Sequence, residues 1–429
     1  MESSIVKYSK FDYFYMFVIC LYMASVDIHM RAMETFSSRM SSFAILLPIF
    51  LTVILSIKYR VSFKNKYFVR IILFVFIWSL IQLIKFGFSG ASLIPYVFYF
   101  IIVSYVHYAA FGKKVFLIFE EIMVKLSKLS LILWGIGVLM PGFAILIYHL
   151  MPGYDTGSYG DNFFYIFNWM NPAKGQVIEG TIISRNAGFS WEPGRFSIML
   201  ILAITINLLH EGLKFRKNKN LCWLTISLVT TFSTTGYCAY AIIVSYFFIK
   251  RFTLKNIFGY ILIIVPCFLL SSEVNFLGDK IDRQIAESFT LEKYQNSLMN
   301  AEKTGSDYAF SLERFPSMIF EYENIKHEPI FGYGLAHTNS YYNKEISNNS
   351  ILTGGFLKVI AQYGLILGLF FYWCLYKSSV KISSEFCSSK KYALLICYIV
   401  CSISYPIMGV ALFTTFWLYG FFSNIEMQN

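Results

Sequence analysis

FVRIILFVFIWSLIQLIK, from Phe68 to Lys85, is an apolar run with charge only towards its ends, at Arg70 and Lys85. A helix that crosses the hydrocarbon core of a bilayer needs about 20 mostly apolar residues. This run reaches that length with a few flanking residues. Working outward, similar runs place further helices near 12–28, 43–57, 91–111, 129–150, 194–210, 220–234, 237–250, 257–271, 351–376, 391–409 and 411–424. The turn between the 220–234 and 237–250 pair is Ser233-Thr234-Thr235-Gly236. The expected fold class is all-α: a polytopic membrane protein with about 12 transmembrane helices.

Composition agrees. The chain has 429 residues, of which 56% are hydrophobic, 19% aromatic and 14% charged. A soluble domain carries roughly 25% charged residues. Interfacial belts and lipid-facing helices would absorb the 44 Phe and 31 Tyr. The formal charge of +11 does not point to nucleic acid, because the basic residues come in short clusters between apolar runs.

Those clusters set the orientation. They are Lys7 and Lys10; Lys58, Arg60, Lys64, Lys66 and Arg70; Lys113, Lys114, Lys125 and Lys128; Lys214, Arg216, Lys217 and Lys219; Lys250, Arg251 and Lys255; and Lys377, Lys381, Lys390 and Lys391. They fall on alternate connections. Both termini are therefore expected in the cytoplasm of a multi-pass inner-membrane protein, with about 22 of the 36 basic residues inside. No cleavable leader is expected, and the first span reads as retained. None of the eight cysteines falls in the two long outer loops, and no Cys or His cluster has metal-ligand spacing. No metal or other cofactor is expected.

The organisation is then residues 1–150 with helices 1–5, a first outer loop 151–193, residues 194–271 with helices 6–9, a second outer loop 272–350, and residues 351–429 with helices 10–12. Loops this long in a compact protein are usually functional or disordered. The first is rich in aromatic rings, among them Tyr154, Tyr159, Phe163, Phe164, Tyr165, Phe167 and Trp169. That composition suits packing on a membrane surface or against sugars. The second reads as partly helical, first through Ile281, Ile285, Phe289 and Leu291, then near 307–325, before a Pro329-Ile330-Phe331-Gly332 turn.

Charge at the outer face gathers in two places. Ser184-Arg185-Asn186-Ala187-Gly188-Phe189-Ser190-Trp191-Glu192-Pro193-Gly194-Arg195 ends the first loop and opens a helix, with Pro193 suited to its first turn. A helix N-terminus flanked by Arg185 and Arg195 is a good diphosphate site, since guanidinium forks and free amides both bind phosphate oxygens. The plainer readings are that Arg195 snorkels to headgroups and that Arg185 pairs with Glu192. The second place is Arg314 followed by Pro329 to Tyr341. Gly332 and Gly334 permit a close backbone approach, and His337 can act as a base near neutral pH. Asn339 and Tyr341 follow as candidate substrate contacts. Gly-x-Gly alone is a weak signal, and the plain alternative is a surface loop with an incidental histidine. Elsewhere, His107 and His149 read as structural. His29, His210 and His327 read as interfacial. Lys358 either lines an outward cavity or snorkels. Glu120-Glu121 and Lys125 read as an inner-surface helix with an i,i+4 pair.

Together these residues resemble the bacterial O-antigen repeat-unit polymerases of the Wzy type and their relatives, the O-antigen ligases. Four features match in order: Arg185-x-x-Gly188-Phe189 to Glu192-Pro193; Ser233-Thr234-Thr235-Gly236-Tyr237; Arg314 in the long loop; and Pro329-Ile330-Phe331-Gly332-Tyr333-Gly334-Leu335, then His337 and Asn339, then a span with Gln362-Tyr363-Gly364-Leu365-Ile366-Leu367-Gly368. The resemblance covers residues 184 to 375. It implies a metal-independent glycosyltransferase of GT-C-like membrane fold, taking a glycan from undecaprenyl diphosphate to a sugar hydroxyl. Its implied partners are the lipid-linked oligosaccharide, membrane lipids, a chain-length regulator and a flippase. In the ligases the histidine stands nearer the next span, whereas here Asn348, Asn349 and Ser350 occupy that stretch. The base is therefore His337 in the first reading and Glu192 in the second. Arginines fixed at a low-dielectric membrane edge would stabilise the departing diphosphate. Two rival readings share the donor: a ligase with a different acceptor, and a transporter of lipid-linked sugars, which would bury charges or break helices within the membrane.

Overall fold

The computed structural model describes residues 9–23, 38–86, 101–143, 146, 162–164, 167–169, 176–178, 181–190, 192–214, 216–249, 314–334, 339–341, 344, 355–405, 407 and 411–423. The chain divides into two compact units. One is formed by residues 1–62, 106–248 and 383–390, the other by 63–105, 249–382 and 391–429.

In the first unit the helices are α1 (Lys10–Met23), α2 (Ser38–Lys58), α5 (Lys114–Leu139), α6 (Pro193–Glu211), α7 (Lys219–Thr230) and α8 (Thr234–Phe248). Helix α4 (Val103–Phe111) and helix α10 (Gly355–Glu385) run across the division between the units. Helix α6 lies at the centre of its unit, against α5, α7 and α8. Its residues from Phe196 to Leu209 are buried on every side, which an all-round apolar sequence requires. Helix α1 packs on α5 and α2. Among the described residues of the first long loop are two antiparallel hairpins, β1 (Asn162–Phe164) with β2 (Phe167–Trp169) and β3 (Gln176–Ile178) with β4 (Thr181–Ile183). Phe167 of β2 packs on Leu133, Trp134 and Ile136 of α5.

The second unit holds α3 (Lys66–Phe86), α9 (Arg314–His327), most of α10, α11 (Ala393–Ser404) and α12 (Ala411–Ser423). Aromatic rings join them. Trp78 meets Tyr363 with centroids 5.2 Å apart, and Phe371 meets Trp417 at 4.6 Å. The close α10–α12 approach uses Gly420, whose N–H donates to Ser378 Oγ at 2.8 Å.

Among the described residues, four helices are long and apolar enough to cross a membrane: α3, α5, α6 and α10. The opening run, at 68–85, is α3. It keeps Leu73, Phe76, Ile77 and Ile84 exposed, an apolar surface that suits lipid rather than water. These helices mark a membrane protein that is mostly helical. Shorter apolar helices end at Lys58, Phe248 and Ser404. The expected spans at 257–271 and the helix near 281–291 lie outside the described residues.

Several boundaries differ from expectation, among them that of α10, which runs on to Glu385; two of the differences have a clear physical cause. The span expected at 129–150 is a helix over Lys114–Leu139, which takes in the Glu120-Glu121 stretch. It stops at Met140, which leaves helical geometry ahead of Pro141 (φ −130°, ψ 63°). Glu120 can be buried because Asn207 Nδ2 donates to its Oε1 at 2.7 Å, while Glu121 takes the expected i,i+4 pair with Lys125 at 2.8 Å. The turn expected at 233–236 falls earlier, at Thr231–Phe232–Ser233, with Phe232 at φ +46°. Gly236 belongs to helix α8. A Cβ there would lie 2.7 Å from Ser197 Cβ, so its glycine serves close helix packing.

Candidate functional site

In the first unit the Arg185–Pro193 segment is fixed by backbone and side chain alike. Asn186 N–H donates to the Thr230 carbonyl at 2.9 Å, and Asn186 Nδ2 donates to Thr230 Oγ1 at 2.9 Å. Its Oδ1 accepts from Gly188 N–H at 2.9 Å. Gly188 has φ +57°, and a Cβ there would come within 2.7 Å of the Phe196 ring. Phe189 packs edge-on against that same ring, with centroids 5.5 Å apart. Trp134 Nε1 donates to the Ser184 carbonyl at 2.7 Å. Hairpin β1–β2 is tied in by Asn168, whose N–H donates to the Gly188 carbonyl at 2.7 Å and whose Nδ2 donates to the Ser190 carbonyl at 3.1 Å.

Arg185 Nε donates to the Thr231 carbonyl at 3.1 Å and Nη2 to the Phe232 carbonyl at 3.0 Å. These are the carbonyls just past α7, where a helix end favours a cation. The sequence placed Arg185 beside the α6 N-terminus as an anion ligand. Two of its five donors instead hold the 231–233 turn. Through that turn the two motif stretches of this unit meet, with Ser197 Oγ donating to Ser233 Oγ at 3.0 Å. Pro193 opens α6 as expected, after an extended Glu192 (φ −143°, ψ 156°) whose side chain makes no capping bond to the helix. Arg195 stands half-buried in the first turn.

The second unit joins the remaining motifs. Helix α10 is broken at Gly364 (φ 77°, ψ 170°). The glycine turn fills the break. Tyr333 N–H donates to the Ala361 carbonyl at 2.9 Å and Gly334 N–H to the Gln362 carbonyl at 3.0 Å, while Leu365 N–H donates to the Pro329 carbonyl at 2.8 Å. From α3, Gln82 Nε2 donates to the Phe331 carbonyl at 2.5 Å and to the Gln362 carbonyl at 3.2 Å, and Trp78 Nε1 donates to the Tyr363 carbonyl at 3.1 Å. Gly332 and Gly334 both have positive φ, at 64° and 83°. A Cβ on Gly332 would stand 2.5 Å from the Ala361 carbonyl oxygen, and one on Gly334 would stand 2.6 Å from Gln82 Oε1. The close approach expected of these glycines is thus to protein backbone and to Gln82. Lys85 pairs with Glu328 beside the turn.

Arg314 opens α9, with Pro316 in the first turn, where the missing N–H is tolerated. The helix then buries Ser317, Phe320, Glu321 and Asn324 while Ile319 and Tyr322 stay exposed. Its buried stripe is mainly polar, the reverse of a helix on a soluble protein. Glu321 has no exposed surface. Asn324 Nδ2 donates to its Oε2 at 3.1 Å, and Tyr333 Oη donates weakly to its Oε1 at 3.4 Å. Burial pushes its carboxyl up to about 7, while the Lys358 ammonium and these two hydrogen bonds pull it down. Lys358, in α10, is buried, and its charge acts on this carboxyl.

Sequence reading missed Glu321. Its signal was the polar spacing 314, 317, 321, 324 on one helical face. His337 lies outside the described residues. Asn339 is half-buried. Tyr341 stacks on His327, with ring centroids 3.6 Å apart and planes 10° apart. Among the described residues no three His, Cys, Asp or Glu side chains gather as metal ligands.

No family model, curated protein or solved structure matches this chain. The residues themselves therefore carry the functional reading.

Proposed function

We propose that this protein is a glycosyltransferase of the bacterial inner membrane. It polymerises oligosaccharide repeat units carried on undecaprenyl diphosphate at the periplasmic face, for O-antigen, capsule or exopolysaccharide. In this reading about 12 spans place both termini in the cytoplasm. The observation that carries it is the assembly in the second unit: the helix headed by Arg314, the glycine turn and the break in α10 form one hydrogen-bonded group. A rigid backbone platform that holds the helix headed by Arg314 suits a reaction driven by charge stabilisation.

The chemistry is a displacement at the anomeric carbon of the donor sugar. The acceptor hydroxyl oxygen forms the new glycosidic bond, and the bond from carbon to diphosphate oxygen breaks. Its electron pair leaves with the diphosphate, whose growing charge Arg314 stabilises; in the first unit, Arg195 in the first turn of α6 is a candidate phosphate contact. His337 takes the hydroxyl proton, with Glu192 the second choice. Arg185 acts here by holding the 231–233 turn. Asn339 and Tyr341 contact sugar. A flippase supplies the donor, and a chain-length regulator limits the product.

The broken helix with buried Lys358 favours a second reading, transport of the same lipid-linked sugar. The carbonyls freed at the break argue against a transport site there, since Ala361, Gln362 and Tyr363 already accept from Tyr333, Gly334, Gln82 and Trp78. Deletion of the gene separates the readings. A polymerase mutant carries surface glycan with a single repeat unit. A mutant without a ligase or a transporter carries none.

A further inference from the structure

Helix α9 poses a physical problem that the transferase reading does not use. Its buried stripe carries a carboxyl with no exposed surface, and burying ionised groups is costly unless they are paired. The carboxyl also sits where three elements meet. Asn324 donates to it from α9 itself and Tyr333 from the glycine turn, while the charge of Lys358 acts on it from α10. Arg314 stands two turns ahead of Glu321 on the same helical face. Whatever sets the docking of Glu321 therefore also sets where Arg314 stands relative to the turn.

We propose that Glu321 is a proton-dependent latch: in its neutral form it docks α9 on α10 and the glycine turn and so positions Arg314, and on ionisation it releases the helix. The sign follows from the surroundings. Released into water, Glu321 ionises at the usual 4.5, whereas docked it holds its proton up to about 7. Protonation therefore favours the docked helix, and docking weakens as pH rises through 7. Among the described residues, the charged and titratable groups acting on the carboxyl are Lys358 from α10 and Tyr333 from the turn. Lys358 favours the carboxylate, so it keeps the transition near neutrality. Burial raises the Tyr333 hydroxyl far above its usual 10, and it stays neutral throughout. Glu321 is thus a positioning residue, acting through Arg314 and the turn.

The proposal rests on the transferase reading for its effect on turnover but not for its effect on the helix, and the test separates the two. The full chain in lipid nanodiscs carries a spin label at Tyr322→Cys, on the exposed face of α9, with the exposed Cys238 and Cys387 replaced by serine. The wild-type background should give an immobile label at pH 6 and a mobile one at pH 8.5, with a midpoint near 7. Glu321→Gln, fixed in the neutral form, should stay immobile across that range. Lys358→Met should move the midpoint to higher pH. Transfer from lipid-linked donor by the unlabelled protein should fall as pH rises towards about 7 and level off above it, where the docked and released forms are both ionised, and Glu321→Gln should lose that fall. If Glu321→Gln keeps the wild-type pH response of the label, or if the wild-type label does not respond between pH 6 and 8.5, the latch is overturned. A label that responds as stated while no sugar is transferred at any pH retains the latch and removes the transferase.

Discussion

Arg314→Lys should abolish long-chain polymer while the protein remains in the membrane at its normal level. Lysine keeps the charge but loses the planar fork that binds two phosphate oxygens together. Removing one preorganised donor from a transition-state anion typically costs about 10²–10³ in rate. The site lies in the first turn of α9, where lysine is as good a helix former as arginine, so the fold should tolerate the change. The measurement is the ladder of surface glycan in a deletion strain carrying the variant, read beside its membrane level. Polymer at the wild-type amount would remove Arg314 from the site.

Gly364→Ala should have a large structural effect in the second unit. Gly364 has φ 77° and ψ 170°, a region essentially closed to other residues, at a cost of about 1–3 kcal/mol. The added Cβ would also overlap the Ile330 carbonyl, which is backbone and cannot swing aside. Overpacking of this kind typically adds about 1–3 kcal/mol. The expected result is loss of folded protein from the membrane, or a protein whose glycine turn has left α10 and which makes no polymer. Gly135→Ala is the control. It lies within α5 and a Cβ there meets nothing within 4 Å, so alanine should leave the level unchanged or raise it. Equal levels and equal activity for the two variants would contradict the account of the break.

What the sequence made legible was local. Helix α6 begins at Pro193 because proline marks a first turn, and it spans Pro193–Glu211 where 194–210 was expected. Helix α3 covers Lys66–Phe86 where 68–85 was expected, because its run is apolar throughout. Helix α5 was misplaced because Glu120 and Glu121 read as a water-facing surface. Nothing near them in the chain reveals that Asn207, on another helix, pairs with Glu120. Gly236 read as a turn residue because the Ser197 neighbour that requires it is distant in sequence. The candidate site followed the same rule. Gly332, Gly334 and Gly364 were visible as glycines, but their joining across the break in α10 depends on contacts between distant residues. Arg185 was visible as a cation beside a helix start, while the carbonyls that hold it belong to the end of α7. Glu321 escaped notice because a buried carboxyl is written like an exposed one.

The central claim is sugar transfer from a lipid diphosphate by this chain alone. The direct measurement adds purified protein in nanodiscs to undecaprenyl-diphosphate-linked repeat units and separates the lipid-linked products by length. Chelator is present in a parallel reaction. A ladder of extended glycans and release of undecaprenyl diphosphate are expected, both unchanged by EDTA. Donor that stays one repeat long in both reactions, while the same protein moves it across a vesicle bilayer, would contradict the transferase and establish the transporter. A ladder lost with EDTA and restored by one divalent ion would contradict the reliance on arginine alone.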